Sequence, residues 1–571
     1  MAEPFHSGFG AAHDTYNGIS CVALPPPGGE REAGAAATAA TAAAAAAVYY
    51  VLCSEDPAVA GQVFRFTPAA AAPAAAGALG APRPAAPPAG VLDRAPAQAA
   101  ASSDGRIAWV GDLDQACGNL AAAHPPPIAQ GKTHCPFVQS PCGRFLYTAT
   151  HVGFYSTVDG MEVFPDPPPA GRGPYGGGRF LRLDLRGGGW EDLSGPIAVL
   201  GGSQPEGVLA FTADAQRGAL YGITWPRGHF ISLQLKRGGG DGGDGGGGGG
   251  GGGAGRSGVK AAVTDHGPVS HGGESVHPRT GRYRALCRSL AVDPRDGDVY
   301  FSTAEGHLRR YSARRRRLLP LPAAEPGDTP PLKLDYFGQG YDVASAGTMA
   351  WNWRQVVWVP AQGCFFGVHG NSGYLFAFAP VPDDDAGGRA PATEAELARC
   401  AGQVRVLERL TSLPSRRAGV SDLFTYGYLG FSLGPDGRTL YYLTGGPRYR
   451  EQRRVRGVEH IPAGASRGEE NLHLVTYDIP TQHVIDHGAI HLARKPGVCR
   501  GAGDGGGGED GADGEAVVPS YVNSIAVGPD GAVYSLGRIH SDDEGHAERH
   551  GRPWRTDLFR IAAKDIRLVQ E

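Results

Sequence analysis

Histidine is the side chain in this sequence best placed to do chemistry at neutral pH. His134 and His151 bracket the stretch HCPFVQSPCGRFLYTATH, and His369 lies in GVHGNSGYL between glycines that would let backbone approach a ligand. An imidazole titrates at about 6.5 and can serve as base, proton shuttle or metal ligand. His134, His151 and His369, with Glu206 and Asn523 as oxygen donors, would hold one divalent metal ion. Such an ion would polarise a carbonyl or activate water, and an imidazole not bound to it would act as base. Arg288 and Arg354 would fork onto a carboxylate or pair with acidic neighbours. Trp225 and Trp353 either offer a stacking face to a sugar ring or pack one element against another. His13, Asn17, His229, Asn371 and Tyr428 add polar contacts suited to a hydroxyl-rich ligand.

For these residues to meet, the fold must bring together positions spread over the whole chain. A repeat does so. It is clearest in YLGFSLGPDGRTLYYLTGG (428–446), YVNSIAVGPDGAVYSLGR (521–538) and CRSLAVDPRDGDVYFSTAEGHLRRYS (287–312). Each copy is a short apolar strand, a Pro/Asp/Gly turn and a second strand with an early tyrosine. Looser copies fall at 18–56, 134–151, 206–235 and 351–380, which makes seven. A third strand follows each hairpin (GQVFRFTP, GRFLRLDL, HFISLQL, HLRRYS, YLFAFAP, LHLVTYDIP, DLFRIAA). A weaker fourth follows at RIAWVGDL, WEDLSG, AAVTDHG, RRLLPLP, VRVLERL, VIDHGAI and DIRLVQE. Four antiparallel strands repeated seven times describe an all-β chain folded as one β-propeller over 1–571. Counts of six or eight blades stay open, because the first hairpin carries a long insertion. With all four strands of the last blade drawn from the C-terminus, closure is expected to rest on packing of blade 1 against blade 7.

The remaining length is composition. Gly 90 and Pro 46 concentrate in tracts at 31–47, 68–103, 238–258, 381–393 and 499–516, which bury little apolar surface and read as disordered insertions between strands. Net charge is −4, with both signs mixed, which argues against a nucleic-acid partner. The arginine-rich stretches at 313–318 and 448–460 read as solvated loop charge. Nine cysteines without a CxxC pair argue against a disulfide scaffold or a structural zinc site. No HExxH pair or phosphate-binding GxxxxGK[ST] loop occurs. The start of the chain lacks a basic segment followed by an apolar run, and no apolar stretch outside alanine tracts approaches membrane-spanning length. The expectation is a soluble, cytoplasmic protein without a membrane span, an organelle being left open.

A propeller blade places its first strand beside the axis, and its second strand returns next to it. The start of the one and the end of the other therefore share a face with the blade-to-blade connections. First-strand starts bring His13, Asn17, His134, Glu206, Arg288, Trp353, Arg354, Tyr428 and Asn523 there, and second-strand ends bring His151, Trp225, His229, His369 and Asn371. Ligand chemistry belongs to that mouth.

NSIAVGPDGAVYSLG, LGFSLGPDGRTLYYL and RSLAVDPRDGDVYFST resemble blades of the SMP-30/gluconolactonase and NHL-like propeller superfamily. That resemblance implies an axial divalent metal held by a Glu and an Asn at first-strand starts plus an Asp. Glu206 and Asn523 match the first two types, no Asp matches the third, and those lactonases have six blades. Seven blades with a histidine-rich face are also similar to oligogalacturonate lyase-type propellers, which implies a His-ligated metal assisting proton removal beside a carboxylate. Two functions follow as expectations. One is a propeller binding or acting on a small polar carbohydrate-like or lactone-like ligand, as a metal-assisted hydrolase or lyase. The other is a non-enzymatic scaffold whose rim binds protein partners.

Overall fold

The computed structural model describes residues 3–6, 15–23, 46–68, 107–158, 161–235, 262–270, 275–276, 283–284, 286–320, 330–333, 351–370, 373–381, 404–417, 430–446, 448–450, 453–455, 471–492, 519, 521–540, 554–566 and 568. They form seven four-stranded antiparallel blades in a ring, a seven-bladed β-propeller. Blade 1 is Thr15–Ala23, Ala46–Cys53, Gln62–Phe66 and Ile107–Asp112. Blade 2 is Val138–Gln139, Phe145–Ala149, Phe180–Asp184 and Trp190–Asp192. Blade 3 is Gly207–Asp214, Ala219–Trp225, His229–Gln234 and Val263–Pro268. Blade 4 is Ala291–Val292, Val299–Ser302, Leu308–Ser312 and Arg317–Leu318. Blade 5 is Trp353–Val359, Cys364–His369, Tyr374–Phe378 and Val404–Arg409. Blade 6 is Phe431–Leu433, Thr439–Gly446, Asn471–Asp478 and His483–Ala489.

Blade 7 departs from expectation. Its first three strands are Tyr521–Val527, Val533–His540 and Trp554–Ile561, but the fourth is Glu3–His6 from the other end of the chain. Glu3 pairs with Arg560, Pro4 with Phe559 and His6 with Leu558. The segment expected to be that strand, DIRLVQE, instead begins within a single helical turn, Ala563–Asp565, and most of the rest lies outside the described residues. An unpaired strand edge leaves its N–H and C=O groups without partners, and here the N-terminal segment fills that edge. The ring is thus closed by backbone hydrogen bonds between the chain ends as well as by packing.

The reason the second strands read as unbroken apolar runs is that both faces of each blade are covered. Val48, Tyr50 and Leu52 face blade 7, with Tyr534 and Leu536, while Tyr49 and Val51 face blade 2, with Phe137 and Leu146. The same alternation recurs in blade 6, where Leu440 and Tyr442 face blade 5 and Tyr441 and Leu443 face blade 7. Ala46 and Ala47, at the end of an alanine tract, open a strand and are buried. First strands of blades 3 to 7 and of blade 1 lie against one another in ring order, and the first strand of blade 3 lies against the second strand of blade 2.

The described cysteines Cys53, Cys117, Cys135, Cys142, Cys287 and Cys364 are free thiols. No helix among the described residues is long and apolar enough to cross a membrane.

Candidate functional site

The hairpin of blade 2 turns at Ser140–Gly143, where Gly143 takes a left-handed φ of 74° and donates to the Ser140 carbonyl at 2.9 Å. At the other end the chain before the first strand continues extended beside the end of the second. Lys132 and His151 exchange backbone hydrogen bonds of 2.8 and 3.1 Å. His134 and His151 thereby come together, with ring centroids 4.7 Å apart and planes inclined at 57°. His151 also meets Trp225 of blade 3 edge to face at 5.3 Å. The imidazole fits because residue 207 is glycine: a Cβ there would lie 2.2 Å from His151 Nδ1. That Nδ1 is buried and has no hydrogen-bond partner among the described residues.

Both imidazoles are buried, and burial, followed by the charges of Lys132 and Arg288, holds them well below the usual histidine range. The His151 ring is a further cause of the lowering at His134. At neutral pH this is a pair of neutral imidazoles in a positive field. Burial pushes the neighbouring Cys135 thiol up to about 12 and raises Cys287, so neither supplies negative charge.

Aromatic side chains complete the wall. Trp225 is flanked by Phe164 at 4.8 Å and Tyr155 at 6.4 Å, and Phe164 stacks on Tyr175 at 5.5 Å. The Lys132 ammonium sits 5.3 Å from the Tyr155 ring centroid. Tyr155, Phe164 and Tyr175 all come from the segment joining the second and third strands of blade 2, which carries the hairpin Ser156–Val158 with Met161–Val163. Sequence reasoning missed Lys132 and these three rings. The signals were the lysine two positions before His134 and an unusually aromatic connection after His151.

The other candidates are distributed as follows. His369 is in blade 5, its Nε2 3.1 Å from the Leu332 carbonyl and its ring 5.8 Å from Trp351; burial takes it down to about 3. Arg354 is buried and donates through Nε to the Gly370 carbonyl. Trp353 is fully buried, donates its indole N–H to the Ser289 carbonyl at 2.9 Å and stacks on Phe376. Trp225 is likewise fully buried, so both indoles pack blades rather than present an open face. Arg288 is half-buried beside the histidine pair. Asn17 and Asn523 lie on the first strands of blades 1 and 7. His13, Asn371 and Tyr428 lie outside the described residues.

Glu206 and His229 belong to a different network. Thr224 Oγ1 donates to Glu206 at 2.6 Å and accepts the His229 N–H at 3.0 Å; Arg227 lies 3.6 Å from the carboxylate, and burial raises the Glu206 pKa. His229 Nδ1 meets Asp265 at 3.0 Å, and Asp265 accepts the Leu200 N–H at 2.8 Å. Blade 6 repeats the device: His473 Nδ1 meets Asp486 at 2.9 Å, and Asp486 accepts the Leu413 N–H. Ser232–His266 and Thr476–His487, each at 2.8 Å, match as well. The repetition identifies these dyads as architectural, tying the connection that enters a blade to its fourth strand.

Among the described residues no three His, Cys, Asp or Glu side chains are grouped to hold a metal ion. Two imidazoles between Lys132 and Arg288 are a poor donor set for a divalent cation, Glu206 is engaged by Thr224 and Arg227, and His369 by Leu332. The donors that are described do not fit the expected ion.

No family model matches the chain, and no curated protein sequence matches it. Solved structures similar to it include the Pseudomonas aeruginosa periplasmic gluconolactonase PpgL, at 14% identity over 90% of this chain and 99% of that one, with a TM-score of 0.39. The β-propeller domain of Myceliophteria thermophila Cps50 (Swd1) is similar at 10% identity over 76% and 85%, with a TM-score of 0.33. A chain of the mitotic checkpoint complex is similar at 9% identity over 98% and 92%, with a TM-score of 0.35.

Proposed function

We propose that this propeller binds a small polar ring-shaped ligand of carbohydrate or lactone type at the mouth over blades 2, 3 and 4. The observation that supports this most is the His134–His151 pair, 4.7 Å apart and neutral, with a buried Nδ1 of His151 that has no hydrogen-bond partner among the described residues. Buried polar groups are almost always hydrogen-bonded, so an unsatisfied one beside an aromatic wall is a place for a ligand to supply the partner. Tyr155 and Phe164 are half-buried and pack against the cluster that holds Trp225.

On a lactone, either neutral imidazole accepts the proton of a water attacking the ring carbonyl, the developing oxyanion lies in the field of Lys132, and collapse of the intermediate breaks the ring acyl C–O bond while the imidazolium returns its proton to the leaving alkoxide oxygen. The test is a thermal-shift and pH-indicator hydrolysis panel of neutral sugars, aldonolactones and sugar acids on the wild-type chain and on His151→Phe. A stabilising compound whose effect disappears in His151→Phe is expected. Absence of any response in the wild type overturns the reading.

A further inference from the structure

We infer that Asp114 and Gln130 are positioning residues for the aromatic wall beside His151, and that the charge on Asp114 sets how firmly the wall is held. The consequence for a ligand rests on the reading of the mouth as the ligand site, whereas the coupling belongs to the free protein and is read there.

A chain of buried contacts runs from the end of blade 1 to the histidine pair. Asp114 sits in the single helical turn Leu113–Ala116 after the fourth strand of blade 1, where Asp112 caps the turn by accepting the N–H groups of Asp114 and Gln115 at 2.8 and 3.1 Å. The Oδ1 of Asp114 accepts the Gln130 N–H at 2.8 Å. Gln130 is fully buried; its Oε1 accepts the Tyr175 hydroxyl at 2.7 Å, and its Nε2 donates to the Gly177 carbonyl at 2.8 Å. Tyr175 stacks on Phe164, Phe164 meets Trp225 edge to face at 4.8 Å, and Trp225 meets His151 the same way at 5.3 Å. A second arm is backbone, because Lys132, two residues beyond Gln130, bridges to His151. Gln130 is the joint: it holds the wall through its carboxamide and the histidine strand through its main chain. Interiors packed to crystal-like density transmit small displacements along such chains.

The carboxyl that anchors the joint changes charge near neutral pH. Burial raises it from 3.8 to about 6, with the Gln130 N–H opposing, Asp112 adding and Arg172 opposing. The groups around it are Asp112; Arg172, which donates to the Pro127 and Ala58 carbonyls at 3.4 Å; the Arg179–Asp192 pair at 3.2 Å; and Cys117 and Tyr175, whose protons burial retains. A hydrogen bond to a carboxylate is roughly twice as strong as one to a neutral acceptor, so ionised Asp114 holds Gln130 tightly and the neutral acid lets it loosen. For the fold as a whole the ionised form is the costly one. The carboxyl's contribution to stability is full below about 4 and is lost as pH rises through about 6. Order in the wall and global stability therefore move in opposite directions with pH, which a general loosening of the fold would not produce.

Fluorine NMR of the full, ligand-free chain carrying fluorotryptophan reads the wall directly. Trp225 is assigned as the resonance missing from Trp225→Phe or, should that variant not fold, as the one displaced by Phe164→Leu. In the wild type it is expected to shift with a midpoint at about 6 and to broaden below it. His134 and His151, held well below the usual histidine range, titrate at lower pH than this transition. Asp114→Asn should keep the resonance at its low-pH position throughout. Tyr175→Phe keeps the ring on Phe164 and removes the hydroxyl that Gln130 accepts, so it should abolish the shift while the pH dependence of unfolding stays in place. A Trp225 resonance that does not move in the wild type, or a shift that survives Asp114→Asn or Tyr175→Phe, overturns the coupling. A shift that behaves as expected in a chain that gives no response to the sugar and lactone panel leaves the coupling standing and removes the ligand reading.

Discussion

Replacing Asp114 with asparagine removes one charge from a buried network that positions the site, and the structure sets the size of the effect. Asp114 lies in the short helix Leu113–Ala116, and its Oδ1 accepts the N–H of Gln130 at 2.8 Å. Gln130, two residues before Lys132, in turn accepts the Tyr175 hydroxyl at 2.7 Å and donates to the Gly177 carbonyl at 2.8 Å. Burial raises the carboxyl from 3.8 to about 6; the Gln130 N–H opposes the shift, the charge of Asp112 adds to it and that of Arg172 opposes it. The folded state therefore holds the proton more tightly than the unfolded one, and the group's stabilising effect at low pH is lost as pH rises from about 4 to 6. That difference, at about 1.36 kcal/mol per pH unit, is about 3 kcal/mol at pH 7.5. Asparagine keeps the accepting oxygen and removes the cost. Denaturant unfolding should show Asp114→Asn more stable than wild type by up to about 3 kcal/mol at pH 7.5, with the two converging at pH 4. A variant less stable at pH 7.5 would show that hydrogen bonding and Arg172 outweigh burial, and would refute the reasoning.

Three further outcomes are expected. Gly207→Ala places a Cβ 2.2 Å from His151 Nδ1; overpacking of this kind costs about 1–3 kcal/mol, and ligand response should fall with the His151–Trp225 contact, read as a change in tryptophan emission. Deleting residues 1–6 removes the fourth strand of blade 7 and its three paired positions, at about 0.5–1.5 kcal/mol for each hydrogen bond lost; an unchanged melting temperature would show that packing alone closes the ring. His369, held at about 3 when folded, gives no pH dependence above about 6.5 and costs stability as pH falls below it, by up to about 1.4 kcal/mol per pH unit. His369→Gln should flatten the stability profile between pH 6 and 4 by about one proton.

The seven-bladed fold was legible in the sequence because its cause is local. A PDG-type turn, an apolar run on each side and an early tyrosine are enough to specify a hairpin, and seven hairpins that each need both faces covered have few arrangements other than a ring. The proximity of His134 and His151 was legible for the same reason, since a hairpin joins its ends whatever they carry. The closing strand was not. Glu3–His6 is four residues, one of them proline, and its place depends on an edge that exists only after blade 7 has formed.

What the sequence by itself determined was the unit and the hairpin geometry that brings strand ends together; it favoured seven copies, and the structure settled that number. Tertiary structure decided which of those ends meet. Glu206, His229, His369, Arg354 and Trp353 were drawn into hydrogen bonds and packing with their own or neighbouring blades. Tyr155 and Phe164 gathered on Trp225, which meets His151 edge to face, and Lys132 came over the Tyr155 ring. Strand periodicity says which face of a blade a side chain leaves from, but the partner it finds across a blade boundary depends on how adjacent blades pack and where their connections cross, and no local pattern encodes that.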